Sequence, residues 1–200
     1  MIRRKPRSSP GADEPLIRSE LFSVERLEQH AATLAEAQRV VRQVRGAPLH
    51  RRITANGDAL LGAYHTIGTA VREGRAITPA AEWLVDNFHI VEEQIGEIRT
   101  NLPPRYYRQL PKLADGPLRG YPRVFGLAWA YVAHTDSRFD PQSLCRFVRA
   151  YQQVQPLTIG ELWALAITLR IVLVENLRRA ADQLVRGRAA RQQADALADQ

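Results

Sequence analysis

The chain has 200 residues, 45% hydrophobic and 24% charged, enough apolar material for one core and too much for a disordered chain. Its net charge of +7 and pI of about 10.2 favour anionic surroundings such as nucleic acid or the inner leaflet of a membrane. The lone cysteine, Cys145, excludes an internal disulfide and a cysteine-type structural zinc site. It reads as a small buried apolar residue of a cytosolic chain.

Residues 1–15, MIRRKPRSSPGADEP, predict a disordered basic arm and lack the apolar run of a signal peptide. From Ser23, the residues Val24, Leu27, Ala31, Leu34, Val41 and Val44 recur at helical spacing until Gly46 and Pro48. A second helix is expected from about Asp58 to Arg72, with Leu60, Leu61, Tyr64, Ile67 and Val71 inward and Gly74 as its stop. Thr78-Pro79 opens a third, with Thr as N-cap and Pro at the first position, and a stripe of Ala81, Leu84, Phe88, Val91, Ile95 and Ile98.

Asn101 to Gly120 holds Pro103, Pro104, Pro111 and Pro117, so no regular helix is expected there. Leu102, Tyr106, Tyr107, Leu110 and Leu113 give this connector apolar anchors. Tyr121-Pro122 leads into a fourth helix through Val124, Leu127, Ala128, Tyr131 and Val132. Asp140-Pro141 starts a fifth, with Leu144, Phe147, Val148, Tyr151 and Val154 inward. Thr158-Ile-Gly-Glu161 is a capping box that opens the longest helix, to about Val185. Its apolar run, Leu162 to Val174, is interrupted by Thr168 and Arg170 and is shorter than the roughly 20 residues of a membrane span.

No stretch alternates like a strand. The expected fold is all-α, roughly six helices in a bundle-like domain over residues 16–185, with the Pro-rich connector in its middle. Leu84, Phe88, Trp129, Phe147, Trp163 and Leu169 are the expected large core residues. Residues 186–200 predict a helical or frayed tail without a cap, as in a chain cut inside a further helix.

The stretch DNFHIVEEQ places Asp86, His89 and Glu93 three and four residues apart, a spacing that can hold a metal in a bundle. On a helical wheel, however, these three lie opposite the apolar stripe. They therefore read as a solvated or partner-facing edge, beside a second surface of Trp83, Asn87 and Ile90. His134 and Asp136 read as helix-end and turn residues. The basic groups Arg178, Arg179, Arg186, Arg188 and Arg191 read as a solvated face or tail. The motifs GxxxxGK[ST], GxGxxG after a strand, GxSxG and HExxH are absent.

No catalytic, cofactor-binding or metal residue is assigned, no cofactor or small-molecule site is expected, and the chain by itself is not expected to be an enzyme. Tyr151 to Leu169 could mimic a helix-turn-helix. The second helix of that pair starts Glu161-Leu-Trp-Ala-Leu-Ala-Ile, too apolar to lie on phosphates, which argues against nucleic acid.

Four segments carry a resemblance: 16–38, 77–113 (including WLVDNFHIVEEQI and LPPRYYRQLPKL), 122–140, and 157–181 (including GELWALAITLR). Together they resemble the N-terminal part of bacterial cyclic β-1,2-glucan synthases. That family consists of very large inner-membrane enzymes that polymerise glucose from UDP-glucose, with transferase, membrane-spanning and phosphorylase-like parts elsewhere in the chain. The resemblance implies a non-catalytic accessory or scaffold segment at the cytoplasmic face of the inner membrane. Its partners would be the remaining domains of the synthase, or itself, with weak contact to an anionic membrane surface. The alternative is a stand-alone helical module that binds protein or nucleic acid.

Overall fold

The computed structural model describes residues 14–41 and 46–198 (of 195 and 196 the backbone alone). Residues 1–13 of the expected basic arm, and Val44, lie outside the described residues. The fold is all-α, with eight helices and two two-residue strands among the described residues. In order these are α1 Val24–Ala37, β1 Val40–Val41, α2 Leu49–Arg72, α3 Pro79–Asp86, α4 Phe88–Asn101, α5 Pro104–Gln109, β2 Lys112–Leu113, α6 Arg123–Thr135, α7 Pro141–Val154 and α8 Ile159–Ala198.

Helix α8 is the axis of the molecule. Helices α6 and α2 pack along it, and α3 and α4 fill the angle between α2 and α8. Helix α1 lies on α7, and this pair joins the rest through α6. Side-chain caps set half of the helix starts among the described residues. Ser23 accepts the N–H of Arg26, Thr78 that of Ala81, and Asp140 that of Ser143. The capping box also forms: Glu161 donates its N–H to Thr158 Oγ1 at 3.2 Å, and Thr158 returns its N–H to Glu161 Oε2 at 2.9 Å. Helix α6 closes on Asp136, which takes the left-handed conformation at φ 51°.

Several boundaries differ from the expected ones. Helix α1 stops at Ala37, because the chain turns into β1, which pairs antiparallel with β2 (Val40 opposite Leu113, Val41 opposite Lys112). Helix α2 begins at Leu49, nine residues before Asp58, and runs through Gly57, where Ile95 packs close to the glycine. The third expected helix is two. Asn87 breaks it: its N–H and Nδ2 both donate to Trp83 O, closing α3, and Ile90 N–H returns to Asn87 O. The stripe crosses the break intact, with Ala81, Leu84, Phe88, Val91, Ile95 and Ile98 all buried.

The Pro-rich connector does hold a helix. Pro104 sits at the first position of α5, where an amide hydrogen is not needed. The carbonyls at the end of α5 are gathered by Lys112, which is 2% exposed. Its Nζ donates to Tyr107 O and Arg108 O at 3.1 Å and to Leu110 O at 2.7 Å.

Of the expected core residues, Leu84, Phe88, Phe147 and Leu169 are buried and Trp129 is half-buried against the core. Trp163 is 79% exposed. The buried seam of α8 is Glu161, Ala164, Thr168, Ile171, Val172 and Glu175, and Trp163 falls on the other side of the wheel. Leu61, Val71 and Val154, expected inward, are exposed. Cys145 is exposed as well, because the inner face of α7 passes through Ser143, Phe147, Val148 and Tyr151. No helix among the described residues is long and apolar enough to cross a membrane.

Candidate functional site

The carboxylates and guanidiniums that the fold buries, Arg123, Glu161, Glu175, Arg178 and Arg179, form two ionic clusters. The first centres on Glu175, which is fully buried in the middle of α8. Arg52 from α2 grips its carboxylate through both Nε and Nη2, and Arg179, one turn on, donates from Nη2 at 2.7 Å. Burial pulls the Glu175 proton affinity up, but the two guanidiniums outweigh it and hold the carboxyl below its usual range. Trp129 of α6 lies under both cations, its ring centroid 5.0 Å from the Arg179 guanidinium carbon and 5.9 Å from that of Arg52.

The cluster extends to the start of the described chain. Arg179 Nη1 donates to Pro15 O at 2.5 Å, and Arg178 binds Glu14 and Asp182. Arg178 and Arg179 are 4% and 6% exposed, so this part of the basic run is no solvated face, as expected from sequence, but a buried anchor. Glu14 and Pro15, grouped with the disordered arm by composition, are tied to it.

The second cluster joins α6 to the α7–α8 turn. Arg123 donates from Nε to Glu161 Oε1 at 2.8 Å and from Nη2 to Glu161 Oε2 at 2.6 Å. It also reaches Gln155 Oε1 at 2.9 Å and Pro156 O at 3.2 Å. The capping-box glutamate therefore serves two roles, and both of its oxygens are engaged. Tyr151 closes this corner by donating its hydroxyl to Gln38 at 2.7 Å, and burial pushes that hydroxyl up to about 12.

These groups are matched with one another and point at no reacting atom. Asp86, His89 and Glu93 are exposed on the side of α3 and α4 away from the core, where the wheel placed them. Among the described residues no group of three or more His, Cys, Asp or Glu is placed to hold a metal ion. His134 donates from Nδ1 to Glu20 O at 2.8 Å, and stacks on Phe22 at 3.9 Å between ring centroids. Asp136 pairs with Arg18 at 3.0 Å. Neither lies in a cleft with a nucleophile.

Sequence reasoning found Glu161 through its capping box and missed Glu175 and Arg123. The available signal was a charge inside an apolar stripe: Glu175 interrupts IVLVENL at the spacing of the buried face. Concave regions open at several places among the described residues. One of about 410 Å³ lies between α2, α3 and α8, one of about 560 Å³ beside Arg39 and Arg123, and one of about 230 Å³ beside Arg52 and Asn56.

The chain is thus an all-helical module whose buried charges bind helix to helix, with exposed apolar residues at Trp83, Ile90, Ile159, Leu162 and Trp163. No protein-family model matches it. In sequence it matches the N-terminal region of a cyclic β-(1,2)-glucan synthase, NdvB of Rhizobium meliloti (strain 1021), at 44% identity over 186 residues. The match takes in 92% of this chain, and the chain spans 6% of the relative's length.

Proposed function

We propose that the chain acts as a non-catalytic accessory or scaffold segment of a cyclic β-1,2-glucan synthase, at the cytoplasmic face of the inner membrane. The observation that carries this reading is the match itself: nearly the whole chain aligns with a small N-terminal share of a very large synthase. The character of the charged residues supports it, since they hold α2, α6 and α8 together. The exposed face of Ile159, Leu162 and Trp163 at the start of α8 supports a docking role toward the other synthase domains.

The test is removal of the matching segment from the Rhizobium meliloti synthase. Membranes carrying the shortened enzyme should show less full-length-competent synthase and less β-1,2-glucan from labelled UDP-glucose. The purified chain, given UDP-glucose and magnesium, should form no polymer. Polymer made by the chain alone would sink the accessory reading. A shortened synthase with unchanged amount and product would leave the stand-alone protein- or nucleic-acid-binding module as the better account.

A further inference from the structure

We infer that the cavity between α2, α3 and α8 is a binding site for an amphiphilic anion: an apolar body bearing a phosphate or carboxylate head. The site is independent of the accessory reading, because it uses none of the residues on which that reading rests. Its volume of about 410 Å³ falls within the usual range of small-molecule sites.

The cavity has two chemically different sides. Ile67 of α2, Ile77 ahead of α3 and Leu184 of α8 form an apolar wall. Arg75, Arg188 and Arg191 form the other, and among the described residues no carboxylate lines the space. Leu184, Arg188 and Arg191 follow at four and three residues on α8, so one face of that helix presents an apolar group and then two cations. Arg75 has an ion-pair partner, Glu73, which stands outside the lining.

Arg188 carries the argument furthest. Its Nη1 is shut off from solvent and meets no hydrogen-bond acceptor among the described residues. A buried charged donor without an acceptor is costly, and like charges one turn apart on a helix add to that cost. An anion in the cavity would supply the missing counter-charge, and the missing acceptor once the Arg188 guanidinium turns Nη1 toward the space that the residue lines; guanidiniums suit a planar or tetrahedral oxyanion through paired donors. A bare inorganic ion would leave the Ile67, Ile77 and Leu184 wall uncovered. An alkyl or other apolar body attached to the head would cover it.

Calorimetric titration of the whole chain with octyl phosphate, inorganic phosphate and octyl glucoside tests this. Octyl phosphate should bind saturably at one site. Inorganic phosphate should bind about tenfold more weakly or worse, and the neutral glucoside should show no saturable binding. Arg188→Gln should weaken octyl phosphate about tenfold while the helical circular dichroism is kept. Should that variant not fold, Arg191→Gln, at an exposed position, should still weaken binding severalfold. Sedimentation with phosphatidylglycerol-containing vesicles separates the sources of the head. Co-sedimentation lost in the arginine variants supports a bilayer lipid, and octyl phosphate binding without it supports a free amphiphile. Absence of saturable octyl phosphate binding, equal affinity for the glucoside or for inorganic phosphate, or affinity unchanged in the arginine variants would overturn the proposal.

Discussion

Glu175 shows how a single carboxylate can organise this molecule. It is fully buried and faces two guanidiniums, so removing its charge takes a shared partner from two cations, of which Arg179 keeps Glu14. Glu175→Gln should cost about 3–5 kcal/mol in chemical denaturation, the range for breaking a buried pair from one side. A cost below about 1 kcal/mol would mean that solvent reaches the cluster. Acidification should tell the same story in two steps. His30, beside Phe22 and His134, is held below its usual 6.5, first by burial and then by the His134 charge. A depressed folded value means that the unfolded chain takes the proton more readily, so the His30 contribution is present above 6.5 and is lost as pH falls. Glu175, held below 4.5, adds a second loss at lower pH by the same sign. Melting temperature followed from neutral to acid pH should therefore fall in two stages, and His30→Gln should flatten the upper stage alone. Among apolar residues, Phe88 is 6% exposed and stacks on Tyr64 at 4.4 Å, so Phe88→Ala should cost roughly 3–5 kcal/mol. Trp163→Ala, at a 79% exposed position, should change stability by no more than about 0.5 kcal/mol. Equal costs at the two sites would contradict the register of α8.

Helix propensity and helix packing make opposite demands at two glycines, and the contrast is measurable. Alanine is favoured over glycine inside a helix by about 0.8–1 kcal/mol. At Gly62 of α2 an added Cβ meets nothing within 4 Å, so Gly62→Ala should raise stability by a few tenths to about 1 kcal/mol. At Gly126 of α6 the same Cβ would stand 3.0 Å from Leu113 Cδ1 and 3.1 Å from Gln38 Nε2. Those neighbours belong to β2 and to the end of α1, which close on α6 from two directions. Gly126→Ala should therefore lower the melting temperature despite its better propensity. If both variants gain stability, the α6–β2 contact is looser than described. The α3–α4 break makes a related point. Asn87 ends one helix with its own side chain, yet the apolar stripe passes through unbroken, so the two short helices bury one continuous face.

Taken as a whole, the molecule hides charge and shows apolar surface in places where the reverse is usual. Arg123, Glu161, Glu175, Arg178 and Arg179 are inside, while Ile159, Leu162 and Trp163 stand out at the start of α8. The Tyr106 hydroxyl, bonded to Gly160 O, ties that first turn to α5. Such a face favours association when nothing covers it. Light scattering of the purified chain should show concentration-dependent self-association, and Trp163→Lys should reduce it without lowering the melting temperature. A strictly monomeric chain at high concentration would remove the argument for a docking face there.

Local chemistry made much of this legible. The caps at Thr78, Asp140 and Thr158 depend on neighbours within three residues, and each formed where the sequence placed it; Ser23, read as the start of a helical pattern, caps α1 in the same way. The stripe from Ala81 to Ile98 is a matter of helical spacing, and it too is buried as read. The reading of DNFHIVEEQ is equally local: Asp86, His89 and Glu93 share an exposed edge because the stripe occupies the opposite one. What the spacing of residues could not contain was the partner across the core. Leu162, Trp163 and Leu165 are all apolar on α8, and only the approach of α2 and α6 decides that the seam runs through Glu161, Ala164, Thr168 and Glu175 instead. A charge becomes tolerable inside when an opposite charge arrives from 123 residues away, as Arg52 does for Glu175, and no local rule carries that information.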